Sequence, residues 1–324
     1  MDAWLLFAIT ATAVVAGGTV LARTADIIAT ETGIGRLWMG SVLVAVTTSA
    51  PELVTDVSAV RQGALDLAIG DLFGSSMANM AILGAIGLAF PTKRLLQSVA
   101  LENVLTATLA ILLTVLAVLF LTAKSQPGVG PVGLGPVLIA AGWLAGVAAL
   151  REVHGRAGSH GEPSGAGTLR RAVAGFAAAA LLIFAAGPFL ARTASELAQD
   201  TGVGETFFGT LALALVTSLP ELVVSATAVR LGALDLALGN LFGSNAENMA
   251  ILLVLELAHT EGRIMEAADL SAATPAVVAI GLMTIGIAAI VLKAERRRLP
   301  FDLSAAALVA GYLMGALAVY DASA

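Results

Sequence analysis

Apolar residues run in ten stretches along the chain, at roughly 3–22, 37–60, 64–89, 95–122, 131–150, 172–191, 204–229, 233–258, 272–292 and 302–320; each is near the ~20 residues a helix needs to cross a bilayer. Short polar or Gly/Pro-rich segments separate them. Strict alternation of polar and apolar residues, the mark of a membrane β-barrel, is absent. The pattern predicts an all-α integral membrane protein with ten transmembrane helices. The widest polar break is 151–171, REVHGRAGSHGEPSGAGTLRR, rich in Gly and charge and expected to be a mobile linker. The first run has only Asp2 before it and no clear cleavage site after it, so it is read as a retained helix.

Composition agrees. Of 324 residues, 58% are hydrophobic and 12% charged, against roughly 25% charged in a soluble domain. There is no Cys, and three His leave little for a zinc site. A net charge of −6 speaks against nucleic-acid binding. No resident cofactor and no obligate protein partner is expected; the surroundings are the lipid bilayer. The loop Lys and Arg give an orientation. With the N-terminus outside, 13 of the 17 fall on the inner side: Arg23, Arg36, Lys93, Arg94, Arg151, Arg156, Arg170, Arg171, Arg230, Lys293, Arg296, Arg297 and Arg298. Arg61, Lys124, Arg192 and Arg263 fall outside. Both termini are then external and 151–171 is cytoplasmic.

The chain also repeats itself. At an offset of 169, residues 41–84 match 210–253 at 26 of 44 positions without a gap. This divides the protein into a first repeat (1–150), the linker (151–171) and a second repeat (172–324), with five spans each. An odd number of spans makes the second repeat enter the membrane upside down, and inverted repeats characterise many secondary transporters.

The repeated segment keeps polar residues in detail. Glu52 and Glu221 fall mid-span, where an ionisable group costs several kcal/mol and marks a pathway or a partner. Pro51 and Pro220 precede them and remove helical hydrogen bonds to the Thr47 and Val216 carbonyls. The broken turns can aim the carbonyls of Ala45, Thr47 and Thr48, and of Ala214, Val216 and Thr217, at a cavity. Thr48, Ser49, Thr217 and Ser218 add hydroxyls. Such all-oxygen sets suit hard cations; a proline kink relieved by Ser/Thr is the alternative. Ser75 with Asn79, and Ser244 with Asn248, share helix faces at i, i+4. They line the site or hydrogen-bond between helices. Gly70, Gly74, Gly239 and Gly243 form G-x-x-x-G pairs, read as packing. Asp66 and Asp235 open helices, where they complement the positive helix end. Asp56 (over Ser225), Asp71 (over Asn240) and Glu247 (over Ala78) break the symmetry, Asp56 as a candidate for an outer vestibule. Glu102 and Glu256 have no assigned role, and His154 and His160 belong to the linker.

The motifs TSAPE (48–52) with GDLFGSSMAN (70–79), and TSLPE (217–221) with GNLFGSNAEN (239–248), resemble the alpha-repeats of the sodium/calcium exchangers in the calcium/cation antiporter superfamily. The short linker matches the compact prokaryotic type, which implies a plasma (inner) membrane protein. The resemblance implies Na⁺/Ca²⁺ antiport by alternating access, with spans 1 and 6 sliding against the rest. It makes Glu52, Glu221 and the carbonyls of Thr48 and Thr217 the calcium ligands. Sodium would use Ser49, Ser218, Ser75, Ser244 and the carbonyls of Ala45 and Ala214, with Asn79 and Asn248 lining the centre. Many relatives carry Asp where this chain has Asn248, so two central carboxylates balance one Ca²⁺ or two Na⁺. An H⁺-coupled or Mg²⁺/Mn²⁺ exchanger on the same fold is the alternative, and a non-transporting cation sensor shares the site. An enzymatic acid/base role for the two Glu is disfavoured: their settings are equivalent, and no nucleophile, catalytic His or phosphate loop accompanies them.

Overall fold

The computed structural model describes residues 3–93, 95–123, 127–130, 132–157, 166–201, 213–292 and 302–323. Residues 204–212 of the expected seventh span, 158–165 of the linker with His160, Asp2, Arg94, Lys124, Lys293, Arg296, Arg297 and Arg298 lie outside these, as do the side chains of His154 and Arg156.

The described chain is almost entirely helical. In order, α1 is Ala3–Thr32, α2 Arg36–Thr48, α3 Ala50–Arg61, α4 Leu65–Ala89, α5 Asn103–Ala123, α6 Leu134–Ala157, α7 Ala166–Thr201, α8 Ala214–Thr217, α9 Leu219–Leu231, α10 Leu234–Ala258, α11 Ala273–Leu292 and α12 Leu303–Ser323. Eight of these are long and apolar enough to cross a membrane on their own, and α2 with α3 forms a ninth, bent by 41°. The only strands among the described residues are a minimal hairpin, β1 (Gly128–Val129) and β2 (Val132–Gly133), closed at Gly130 with φ +61°.

Several helices outrun the apolar stretches that signal them. α1 continues past residue 22 through RTADIIATET, and α6 and α7 extend into the expected linker as far as Ala157 and from Ala166. Apolarity marks where a helix meets lipid, while backbone hydrogen bonds and good helix formers continue it into water. In α1, Thr24, Thr30 and Thr32 return their hydroxyls to carbonyls one turn earlier. The expected 95–122 span divides instead into a short helix, Leu95–Ser98, and α5.

α4 and α10 are the centre of the molecule. Within their membrane-length windows 78% and 67% of residues are buried, against 22–44% in the other long helices, whose apolar outer faces are left for lipid. Phe73 and Phe242, related by the 169 offset, are both fully buried. The second G-x-x-x-G brings α10 onto α2 as expected: a Cβ on Gly239 would stand 2.7 Å from the Leu37 carbonyl oxygen, and one on Gly243 2.5 Å from that of Ser41. Gly40 returns the contact, 2.5 Å from the Leu236 carbonyl oxygen. The 169-offset equivalents of Leu37 and Ser41 are residues 206 and 210, outside the described residues.

Asp66 and Asp235 stand in the first turns of α4 and α10, beside the positive helix ends, and they also reach across the molecule. Asp66 Oδ1 accepts the Asp269 N–H at 2.8 Å; Asp235 Oδ1 accepts the Ala100 N–H at 2.9 Å and Asn103 Nδ2 at 2.7 Å. Residues 100 and 269 are again 169 apart. Glu256, buried near the end of α10, accepts the Gly133 N–H at 2.6 Å and the Ile264 N–H at 2.8 Å, tying the hairpin to the following turn.

α1 and α7 lie along one another on the periphery. Gly17 admits Ile183 and Gly175 admits Thr24. Gly187 of α7 faces the Pro51 ring with no room for a Cβ. This pair meets the second broken span through a separate small apolar cluster that includes Val14, Leu190 and Leu219.

Candidate functional site

Each broken span hinges at a serine. Ser49 (φ −80°, ψ 1°) separates α2 from α3, and Ser218 (φ −80°, ψ 11°) separates α8 from α9. Both depart from helical ψ two residues ahead of a proline, whose ring crowds the preceding turn and which offers no N–H to the carbonyl four residues back. Pro51 and Pro220 therefore sit in the first turn of the new helix, where a missing N–H costs nothing, with Glu52 and Glu221 beside them in that turn. Ahead of the first break, Met39–Val44 winds as a π-helix, a wider turn often found at functional sites.

The two hinges serve one another. Ser49 Oγ donates to Glu221 Oε1 at 3.4 Å, and Ser218 Oγ donates to Glu52 Oε1 at 3.4 Å. Ser244 Oγ adds a contact to Glu221 Oε1 at 3.3 Å. Thr48 Oγ1 pairs with Ser244 Oγ at 3.5 Å, and Ser75 Oγ pairs with Thr217 Oγ1 at 3.4 Å. Thr48, Ser49, Glu52, Ser75, Asn79, Ser218, Glu221, Ser244 and Asn248 are 0–1% exposed and Thr217 3%. The serine, threonine and glutamate oxygens thus come from the two repeats and meet in buried contacts, while Asn79 and Asn248 lie buried on the same helices as Ser75 and Ser244.

The contacts leave the acceptors unsaturated. They exceed the usual 2.5–3.0 Å of O–H···O bonds. Among the described residues, Glu52 Oε2, Glu221 Oε2, Asn79 Oδ1 and Asn248 Oδ1 have no hydrogen-bond partner. Buried acceptors are normally paired, so the unpaired oxygens of Glu52 and Glu221 call for a positive charge. The set is carboxylate, amide and hydroxyl oxygen, which fits a hard cation. The Ala45 and Ala214 carbonyls are occupied: Ala45 O accepts the Ser49 N–H at 2.9 Å and Thr48 Oγ1 at 3.1 Å, and Ala214 O accepts the Ser218 N–H at 3.0 Å and Thr217 Oγ1 at 3.1 Å. A cation there competes with those donors.

Two further side chains belong to the locus. Asn240 Oδ1 receives Thr48 Oγ1 at 3.0 Å while its Nδ2 reaches Ser225 Oγ at 3.0 Å. Asn245 Oδ1 receives Asn79 Nδ2 at 2.9 Å, joining the two central helices. Sequence reasoning gave neither a role. Their signal is in the repeat alignment, where Asn240 stands over Asp71 and Asn245 over Ser76.

The sequence profile of the sodium/calcium exchanger protein family matches residues 2–148 and 171–320, leaving out the linker. The chain belongs to the sodium/calcium exchanger family. The exchanger-family chain is 29% identical over 252 residues to the inner membrane protein YrbG of Escherichia coli K12, covering 75% of this chain and 76% of that protein. It is 27% identical over 306 residues to the sodium/calcium exchanger MaX1 of Methanosarcina acetivorans, covering 84% and 87%. Its fold matches that of the sodium-calcium exchanger NCX_Mj with a TM-score of 0.72 at 17% identity, over 98% of this chain and 97% of the other. It is an integral membrane protein of the cation-antiporter type.

Proposed function

We propose that this chain exchanges Na⁺ for Ca²⁺ across the membrane by alternating access, with both ions competing for Glu52 and Glu221. The observation that carries this is the reciprocal pairing of Ser49 with Glu221 and Ser218 with Glu52 around unsatisfied buried oxygens. Two carboxylates neutralise one Ca²⁺ or two Na⁺, so occupancy by one ion excludes the other. An empty pair of buried charges is too costly to carry across, and this enforces exchange over leak. Calcium takes Glu52, Glu221 and the carbonyls of Thr48 and Thr217. Sodium takes Ser49, Ser218, Ser75, Ser244 and the carbonyls of Ala45 and Ala214, with Asn79 and Asn248 lining the centre.

The architecture we propose is ten spans in two inverted halves, 1–150 and 172–324, with both termini outside and the 151–171 linker cytoplasmic, in a prokaryotic plasma membrane. The α1–α7 pair slides over the hinges to open one mouth or the other; its peripheral place and the close Gly187–Pro51 contact support this. No cofactor, catalytic step or obligate partner enters. The contacts repeated at the 169 offset support the inversion.

The test is ⁴⁵Ca²⁺ uptake into vesicles driven by an outward Na⁺ gradient. Wild type accumulates calcium, and Glu52→Gln and Glu221→Gln do not. Equal uptake by wild type and Glu52→Gln would sink the site assignment. A second reading keeps the site and changes the ions to H⁺ or another divalent cation. It is favoured by Asn at both 79 and 248, which limits central charge. Uptake driven by a pH gradient and indifferent to Na⁺ selects it.

A further inference from the structure

The two halves differ one helical turn beyond each central Glu. In the second half Ser225 and Asn240 meet there in a neutral hydrogen bond of 3.0 Å. The corresponding residues of the first half, by the 169 offset, are Asp56 and Asp71. These two carboxylates lie within hydrogen-bonding reach of each other, at 1% and 0% exposure.

Among the described residues, neither Asp56 Oδ2 nor either Asp71 carboxylate oxygen has a hydrogen-bond partner at standard distance. The Thr217 hydroxyl lies against Asp71 and also reaches the Leu213 and Ala214 carbonyls, each at 3.1 Å. Glu52, four residues before Asp56 and on the same face of α3, holds its own unpartnered Oε2. Two buried carboxylates facing one another repel, and a cation between them turns that repulsion into attraction.

We propose that Asp56 and Asp71, with the Thr217 hydroxyl, form a second site for a hard inorganic cation, present in one half of the fold only. It rests on the reading of Glu52 and Glu221 as the central site, to which it adds charge: with Asn at 79 and 248, the centre alone holds two negative charges. Asp56 lies about 6 Å along α3 from Glu52, toward Arg61, whereas Ser225 lies toward Arg230. In an inverted-repeat fold those directions lead to opposite mouths, so the acidic site feeds the centre from one side.

The double variant D56S/D71N copies into the first half the Ser225–Asn240 pair, which hydrogen-bonds at 3.0 Å in the second. Equilibrium binding of ⁴⁵Ca²⁺ and of ²²Na⁺ to the purified full chain in detergent gives the number of each ion held. The expected result is that D56S/D71N binds one cation fewer per chain, for whichever ion the site takes, while E52Q/E221Q keeps that one cation and loses the central ones. An unchanged count and affinity for both ions in D56S/D71N would overturn the proposal; the two Asp then merely share a proton. Full binding by E52Q/E221Q would instead overturn the central-site reading, so the two failures are distinguishable. If the double variant does not fold, the near-isosteric Asp71→Asn answers the same question.

Discussion

Ser49 in the first half lends its hydroxyl to Glu221 in the second, 3.4 Å away, and the equivalent pair Ser218–Glu52 repeats the contact at the same distance. The two are not equal in effect, because Glu221 has a further donor in Ser244 and Glu52 has no matching contact from Ser75. Ser218→Ala is therefore expected to weaken calcium affinity more than Ser49→Ala. A hydrogen bond of about 0.5–1.5 kcal/mol corresponds to roughly 2–10-fold. The concentration dependence of ⁴⁵Ca²⁺ uptake reads both; the reverse order, or no effect of either, contradicts the pairing.

The inversion can be tested because the chain has no Cys. Gln62 and Leu231 are related by the 169 offset, are both exposed, and both immediately precede a left-handed Gly, Gly63 at φ +82° and Gly232 at φ +78°. Single variants Gln62→Cys and Leu231→Cys are expected to react with an impermeant maleimide from opposite sides of the membrane. Gln62→Cys reacts from outside intact cells and Leu231→Cys only after permeabilisation. Labelling of both from one side excludes the inversion.

Close packing at the second G-x-x-x-G predicts a sharp contrast between glycines. Gly243→Ala places a methyl 2.5–2.8 Å from three Ser41 backbone atoms and should destabilise by about 1–3 kcal/mol. Gly281, on the outer face of α11 with nothing near its Cβ position, should accept Ala without loss. Melting of the two variants in detergent gives the comparison.

Asp235 holds two donors and Asp66 one, in a more exposed setting. Asp235→Ala strands the Ala100 N–H and the Asn103 amide and should cost about 1–3 kcal/mol per group left buried. Asp66→Ala should cost less than about 1 kcal/mol. Equal losses would show that the cross-molecule bonds contribute little beyond the helix-end charge.

Much of this was legible in the sequence because membrane charge is scarce and the repeat doubles every signal. Glu52 and Glu221 stand out inside long apolar stretches, and TS-x-PE marks a broken helix. What one dimension hides is which residue answers which. Pro51 locates the break, but the backbone turns at Ser49, two residues earlier, and its hydroxyl serves a carboxylate 172 positions away. Asp66 and Asp235 read as complements to the positive helix end, because a first-turn acid is reason enough for one. Their hydrogen bonds reach residues 203 and 135 positions distant. Asn240 and Asn245 pass as ordinary polar residues until their partners are known. Helix ends such as Thr32 are hidden for another reason: the apolar signal stops at the lipid boundary, and the helix does not.

The exchange of hydroxyls across the hinges also bears on how small such a protein can be. A single half carries one Glu of the central pair and one hinge serine, but its serine reaches the Glu of the other half. These contacts exist only where the two halves meet, and joining the halves in one chain fixes their ratio at one to one. Fusion also frees each copy to change alone, which is how one turn of the fold can hold two aspartates while its mirror holds serine and asparagine.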